Sequence, residues 1–263
     1  MCMKVVFLVF MFLIGAAMGS FLACQVWRVR YRDLKKKDLG SRSVCLSCKK
    51  QLKWYDNVPI LSWLFLRGKC RYCGKKIGIM EILAEVLTGL AFLGYGTTCD
   101  LSMGWQGWVI FGLMILLILS LGFLALYDGK FGELPCFMLI VAGILAVTIV
   151  GLKIVFNGFT MNFLGNTLGA VAVLGGLYFA LYFLSKGKLV GDGDWILGAI
   201  IGLVLGNAWF ALIELFLSNF LGLIVMLPFV KGNPKAKIYF GPFLVIAFLV
   251  ILTFAEFLNG LIY

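Results

Sequence analysis

The 263 residues are 62% hydrophobic and only 13% charged, with a mean hydropathy of +1.04. A soluble domain holds about 45–50% apolar residues, so a water-soluble globule and a disordered tail are both excluded. The net charge of +11 is local: residues 27–80 hold 15 Lys/Arg against Asp33, Asp38 and Asp56, and the rest sums to about zero.

That pattern describes a basic module beside a lipid bilayer and argues against nucleic acid as a partner. Histidine is absent. Ser-His-Asp, Cys-His and His-ligated zinc chemistry are thereby removed, leaving carboxylates, thiols and lysines.

In chain order, the apolar run 5–26 is too long for a signal-peptide core and long enough to span a membrane. Further runs lie at 79–96, 105–127, 134–151, 163–184, 208–230 and 240–262. The run 195–206 is short for a span, but 195–230 is too long for one helix, and Gly206-Asn207 supplies a turn signal within it. Two passes fit better than one, either as two helices or as a re-entrant hairpin. Lys and Arg concentrate in 27–78, at Lys130, at Lys186 and Lys188, and at Lys231, Lys235 and Lys237; 97–104, 157–162 and 206–207 contain none. Because basic loops stay cytoplasmic, about eight transmembrane helices are expected in an all-α polytopic protein. The expected divisions are a first helix (1–26), a basic cytosolic four-cysteine domain (27–78) and a transmembrane domain (79–263). No internal repeat is evident.

Cys45-x2-Cys48 and Cys70-x2-Cys73, 21 residues apart, resemble the four-thiolate zinc pattern. In a reducing loop such pairs bind metal rather than form disulfides. Four thiolates close the coordination shell, so the metal is expected to be structural, with a redox role as the alternative. Cys2, Cys24, Cys99 and Cys136 show no ligand spacing.

Ionisable groups inside a membrane need a partner, water or a function. Asp128 ends the third run before Gly129, and Asp194 ends Gly191-Asp192-Gly193-Asp194. Two carboxylates held close together titrate as a pair and can activate water against a peptide carbonyl, one as base and one as acid. Asp194 is equally suited to cap the helix that follows, Asp128 to pair with Lys130, and Asp192 is a rival to Asp194. Glu81, Glu85, Glu214 and Glu256 read as structural. Two rival functions use the same features: an ion-coupled transporter built on the intramembrane acids, and a metal- or redox-sensing module built on the cysteines.

Several segments, taken together, resemble type IV prepilin peptidases, the leader peptidases and N-methyltransferases of type IV pilus and type II secretion systems. They are Gly19-Ser20-Phe21-Leu22, the two cysteine pairs, 54–64 with its Asn57-x-Pro59-x-Leu61-Ser62-Trp63 core, Arg67-Gly68-Lys69-Cys70, Glu85-Val86-Leu87-Thr88-Gly89, Asp128 followed by Leu134-Pro135, and Gly191-x-Gly193-Asp194. The resemblance implies that Asp128 and Asp194 are a catalytic pair in the bacterial inner membrane, with the active site on the cytosolic side. It also implies cleavage of a basic leader from pilin-like precursors, then methylation of the new amino terminus from S-adenosylmethionine; a peptidase without methyl transfer is the narrower alternative. No cofactor-binding residue is identified. Ala23, Arg30, Lys130 and Cys136 depart from the family pattern.

Overall fold

The structure, a computed structural model, describes residues 2–33, 43–187, 190–232 and 239–262. Asp38, Lys188, Lys235 and Lys237 lie outside these residues, as do the side chains of Cys2, Lys231 and Glu256. The described residues are helical apart from loops and two isolated β-bridges. Among the described residues, six helical stretches are long and apolar enough to cross a membrane, and two shorter apolar ones bring the total to the expected eight. The chain divides into two compact units, Met1–Thr97 and Thr98–Tyr263.

The first unit pairs α1 (Cys2–Asp33) with α3 (Ile79–Thr97), separated in sequence by a loop module that contains the short α2 (Leu61–Phe65). Helix α1 runs seven residues past the expected boundary at 26. The hydrophobic run ends there, but the helix continues with Arg30 and Arg32 in its last turn, where cations suit the negative end of the helix dipole. Gly15 and Gly19, one turn apart, set the packing. A Cβ at Gly15 would stand 2.7 Å from the Thr88 carbonyl oxygen, and one at Gly19 2.5 Å from that of Ala84. Small residues at such a seam let two helix backbones approach in lipid, where no hydrophobic force drives helices together.

The second unit contains α4 (Trp105–Phe131), α5 (Cys136–Asn157), α6 (Met161–Val171), α7 (Leu177–Ser185), α8 (Asp194–Leu205), α9 (Ala208–Gly232) and α10 (Gly241–Ile262). A π-helical turn, Ala172–Gly176, joins α6 to α7, so the two form one rod, Met161–Ser185. Helix α8 is central, packing against α5, α6, α7, α9, α10 and the π turn. Its 12 residues rise only about 18 Å, short of the about 30 Å hydrocarbon core. Burial among protein rather than lipid makes that length tolerable. It stops at Gly206, whose φ of 61° closes the helix, and the Asn207 side chain then accepts the Trp209 amide at 2.9 Å to start α9. The expected break thus falls at Gly206-Asn207.

Candidate active site and metal centre

The four cysteines come from two copies of one small loop. In the first, the Cys45 amide donates to Lys50 O and the Lys49 amide to Cys45 O, both at 2.9 Å; in the second, Cys70 donates to Lys75 O and Gly74 to Cys70 O at the same distances. Each copy is flanked by one bridge, Val44 to Gln51 and Lys69 to Lys76. Lys49 and Gly74 occupy equivalent left-handed positions, with φ of 59° and 69°. This is an internal repeat that the sequence reading did not recognise. Its signal was the matching Cys-x2-Cys-x-Lys spacing, hidden because Lys stands in one copy where Gly stands in the other.

The four sulfur atoms lie within 4.8 Å of one another, and Cys45 Sγ is 3.9 Å from Cys73 Sγ. A tetrahedral zinc with bonds of about 2.3 Å needs sulfur–sulfur edges of about 3.8 Å. The donor set and spacing therefore fit a closed metal site. Beside it, Asp56 accepts from Arg71 Nε at 2.7 Å and from the Lys53 amide at 3.2 Å, tying the 3-10 turn Trp54–Asn57 to the second loop. Ile60 holds a φ of 61°, a conformation uncommon for a β-branched residue. Its amide donates to Glu85 Oε2 on α3 at 2.7 Å.

In the second unit, Asp128 sits in the last turn of α4, 6% exposed, and its Oδ2 accepts the Gly241 amide at 3.0 Å. The helix ends four residues later at Gly132, whose amide donates to the Asp128 carbonyl. Asp194 is 8% exposed and is the first residue of α8 rather than its cap, the cap position falling to Gly193. Its carboxylate turns back to accept the Gly191 amide at 3.0 Å. Gly191 leaves room for this approach, since a Cβ there would stand 3.1 Å from Asp194 Oδ2, and Gly193 leaves room for Leu134, which a Cβ would meet at 2.7 Å. The fold brings Asp128 and Asp194 within electrostatic reach of each other. Asp192 is exposed.

Two residues of this neighbourhood escaped the sequence reading. Gly241 stands before Pro242 at the start of α10, a helix-start signal that says nothing of the acid it meets. Tyr178 is buried within electrostatic reach of Asp194 and Glu214, and its hydroxyl accepts from Asn219 Nδ2 at 3.2 Å. Glu214 is fully buried, and neither carboxylate oxygen has a hydrogen-bond partner among the described residues.

The apolar helices and the four-thiol module define a multi-pass helical membrane protein with an insert whose cysteines fit a metal. Residues 13–98 match the family described as bacterial peptidase A24 N-terminal domain. Over 88% of its length the chain is 31% identical to 67% of the prepilin leader peptidase/N-methyltransferase of Myxococcus xanthus. The proteins of that name from Neisseria gonorrhoeae and Aeromonas hydrophila are each 31% identical, covering 91% and 90% of the chain and 88% and 87% of their own lengths. The chain belongs to the prepilin leader peptidase/N-methyltransferase family. No solved structure matches it significantly.

Proposed function

We propose that this chain is a membrane-embedded aspartic endopeptidase. It removes the basic leader from type IV pilin-like precursors at the cytosolic face of the bacterial inner membrane, then methylates the new amino terminus. The observation that carries the reading is the convergence of Asp128 and Asp194, from α4 and α8, as buried carboxylates within reach of each other.

Water held between the two acids loses a proton to one of them as its oxygen attacks the scissile carbonyl carbon. The other delivers its proton to the departing amide nitrogen as the C–N bond breaks. The Gly241 and Gly191 amides each hold one Oδ2 atom, fixing the carboxylate planes and leaving the Oδ1 atoms to water and substrate. Leader and four-cysteine module are both positive, so leader recognition rests on backbone contacts and local acids rather than on attraction to the module.

Zinc is the metal best suited to Cys45, Cys48, Cys70 and Cys73, and a closed thiolate shell assigns it a structural role. S-adenosylmethionine supplies an electrophilic methyl group, and the chain's part is to hold the donor against an unprotonated amino terminus.

The test is cleavage of a synthetic precursor by purified enzyme with and without the methyl donor, read by mass spectrometry. Asp128→Asn and Asp194→Asn abolish cleavage while Asp192→Asn retains it. Loss at Asp192 with none at Asp194 overturns the assignment.

A further inference from the structure

The two acids are held by segments far apart in the chain: Asp194 opens α8, and the Asp128 carboxylate is fixed by the Gly241 amide at the start of α10. One side chain reaches both segments. Tyr178 of α7 is 3% exposed, and its ring lies against Gly198, where an added Cβ would stand 3.2 Å from Tyr178 Cδ2. Gly198 is one turn along α8 from Asp194. The same ring meets that of Phe240, the residue before Gly241, at 5.5 Å between centroids. We propose that Tyr178 is a positioning residue of the aspartate pair, a spacer between α8 and the start of α10 that is anchored to α9 through Asn219 and sets how far apart the two carboxylates stand. The inference rests on the peptidase half of the function proposed above.

The backbone around Tyr178 favours this placement. A Cβ at Gly198 would also stand 3.2 Å from the Leu174 carbonyl oxygen, and one at Gly175 2.7 Å from the Ala199 Cβ. The rod Met161–Ser185 and α8 therefore meet with little slack, as small residues allow in a membrane bundle. Within the rod, the π turn Ala172–Gly176 ends two residues before Tyr178. A π turn takes up one extra residue, which rotates everything after it by about 100° around the helix axis. An uninterrupted α-helix would carry Tyr178 to a different face.

The hydroxyl anchors the far end of the ring. It accepts from Asn219 Nδ2 at 3.2 Å, and the same nitrogen donates to the Leu215 carbonyl at 2.7 Å, which ties the anchor to the α9 backbone. Glu214 and Ser218, one turn apart on α9, are both 0% exposed. This corner of the bundle is thus polar, which accounts for a tyrosine where phenylalanine would fill nearly the same volume. Helix α9 also closes on Phe240, since a Cβ at Gly222 would stand 3.4 Å from that ring. With Tyr178 removed, Phe240 and Gly241 can settle into the gap and draw the Asp128 carboxylate out of line with Asp194. A misplacement of about 1 Å at a reacting group can cost about a hundredfold in rate.

The experiment uses full-length protein in detergent, with steady-state cleavage of a synthetic pilin-like precursor and hydrogen exchange read by mass spectrometry. Tyr178→Leu is expected to lower kcat about tenfold or more with KM little changed. Tyr178→Phe, which keeps the ring, recovers most of that loss. Asn219→Leu loses as much as Tyr178→Phe, and the double variant loses no more than either alone, because both remove one anchor. Ile149→Ala, a buried change near the far end of α5, lowers the unfolding midpoint but not kcat, which separates stability from placement. Wild-type kcat in Tyr178→Leu, or a raised KM at unchanged kcat, overturns the proposal. Should Tyr178→Leu fail to fold, wild-type kcat in both Tyr178→Phe and Asn219→Leu overturns it. Exchange reads the brace without substrate: Tyr178→Leu, or Tyr178→Phe in its place, hastens exchange in peptides covering 191–198 and 240–244, and unchanged exchange there also overturns it. A wild-type chain that cleaves no precursor, or Asp194→Asn that still does, brings down the peptidase reading instead, while exchange still decides the brace.

Discussion

The Asp128 carboxylate accepts the amide of Gly241, 113 residues further along the chain, at 3.0 Å. A Cβ at position 241 would stand 2.8 Å from the same oxygen, so the side chain that makes the amide accessible is no side chain at all. Gly241→Ala displaces the carboxylate, and a small misplacement of a reacting group is costly. Expected is a fall in kcat of about tenfold or more with KM little changed. Gly112→Ala, where nothing lies within 4 Å of the added carbon, is the control.

Metal removal tests the thiol cluster. Burial opposes ionisation of the Cys45 thiol, but hydrogen bonds from the Cys48 and Ser47 backbone and the adjoining thiols outweigh it and bring the group down to about 6. At Cys73 the Lys75 amide favours the thiolate, yet desolvation and the three neighbouring thiols push the group up to about 11. Zinc captured at neutral pH therefore displaces protons, and its affinity rises with pH. Calorimetry in buffers of different ionisation enthalpy reads that release; uptake without protons contradicts a four-thiolate shell. Replacing all four cysteines with Ser weakens cleavage through lost loop structure, while Asp128 remains decisive.

Gly202 on α8 lies against α6, where a Cβ would be 2.6 Å from the Ala170 carbonyl oxygen. Backbone cannot yield as a flexible side chain can. Gly202→Val destabilises the second unit by about 1–3 kcal/mol, read as a lower unfolding midpoint in detergent. An unchanged midpoint would mean that α6 and α8 do not pack at this distance.

Glu214 is a buried carboxyl without a hydrogen-bond partner among the described residues, an arrangement that costs about 1–3 kcal/mol. Glu214→Leu raises the unfolding midpoint. A lower midpoint would show that the carboxyl is satisfied by water or by a proton shared within the bundle.

Much of this architecture was legible because membranes constrain sequence severely. The eight apolar runs, the break at Gly206-Asn207 and the clustering of the thiols followed from span length, turn chemistry and ligand spacing. Asp194 was legible as a special acid but not in its detail: the sequence suggested a cap, whereas the cap position is Gly193 and the carboxylate folds back on Gly191. The partners of the acids were not legible, since Gly241 and Tyr178 gain meaning only when α10 and α7 reach them. Glu81 and Glu85 read as structural, and nothing local to α3 reveals that α1 and both cysteine loops enclose a cavity before them.

The seam at Gly15 and Gly19 fastens α1 to α3 backbone against backbone, whereas the cysteine loops are organised around the site their sulfur atoms share. One side of the module thus rests on two helices joined backbone to backbone, and the other on four thiols spaced to hold a metal. Chelation is expected to slacken the loops and to leave the helix seam closed.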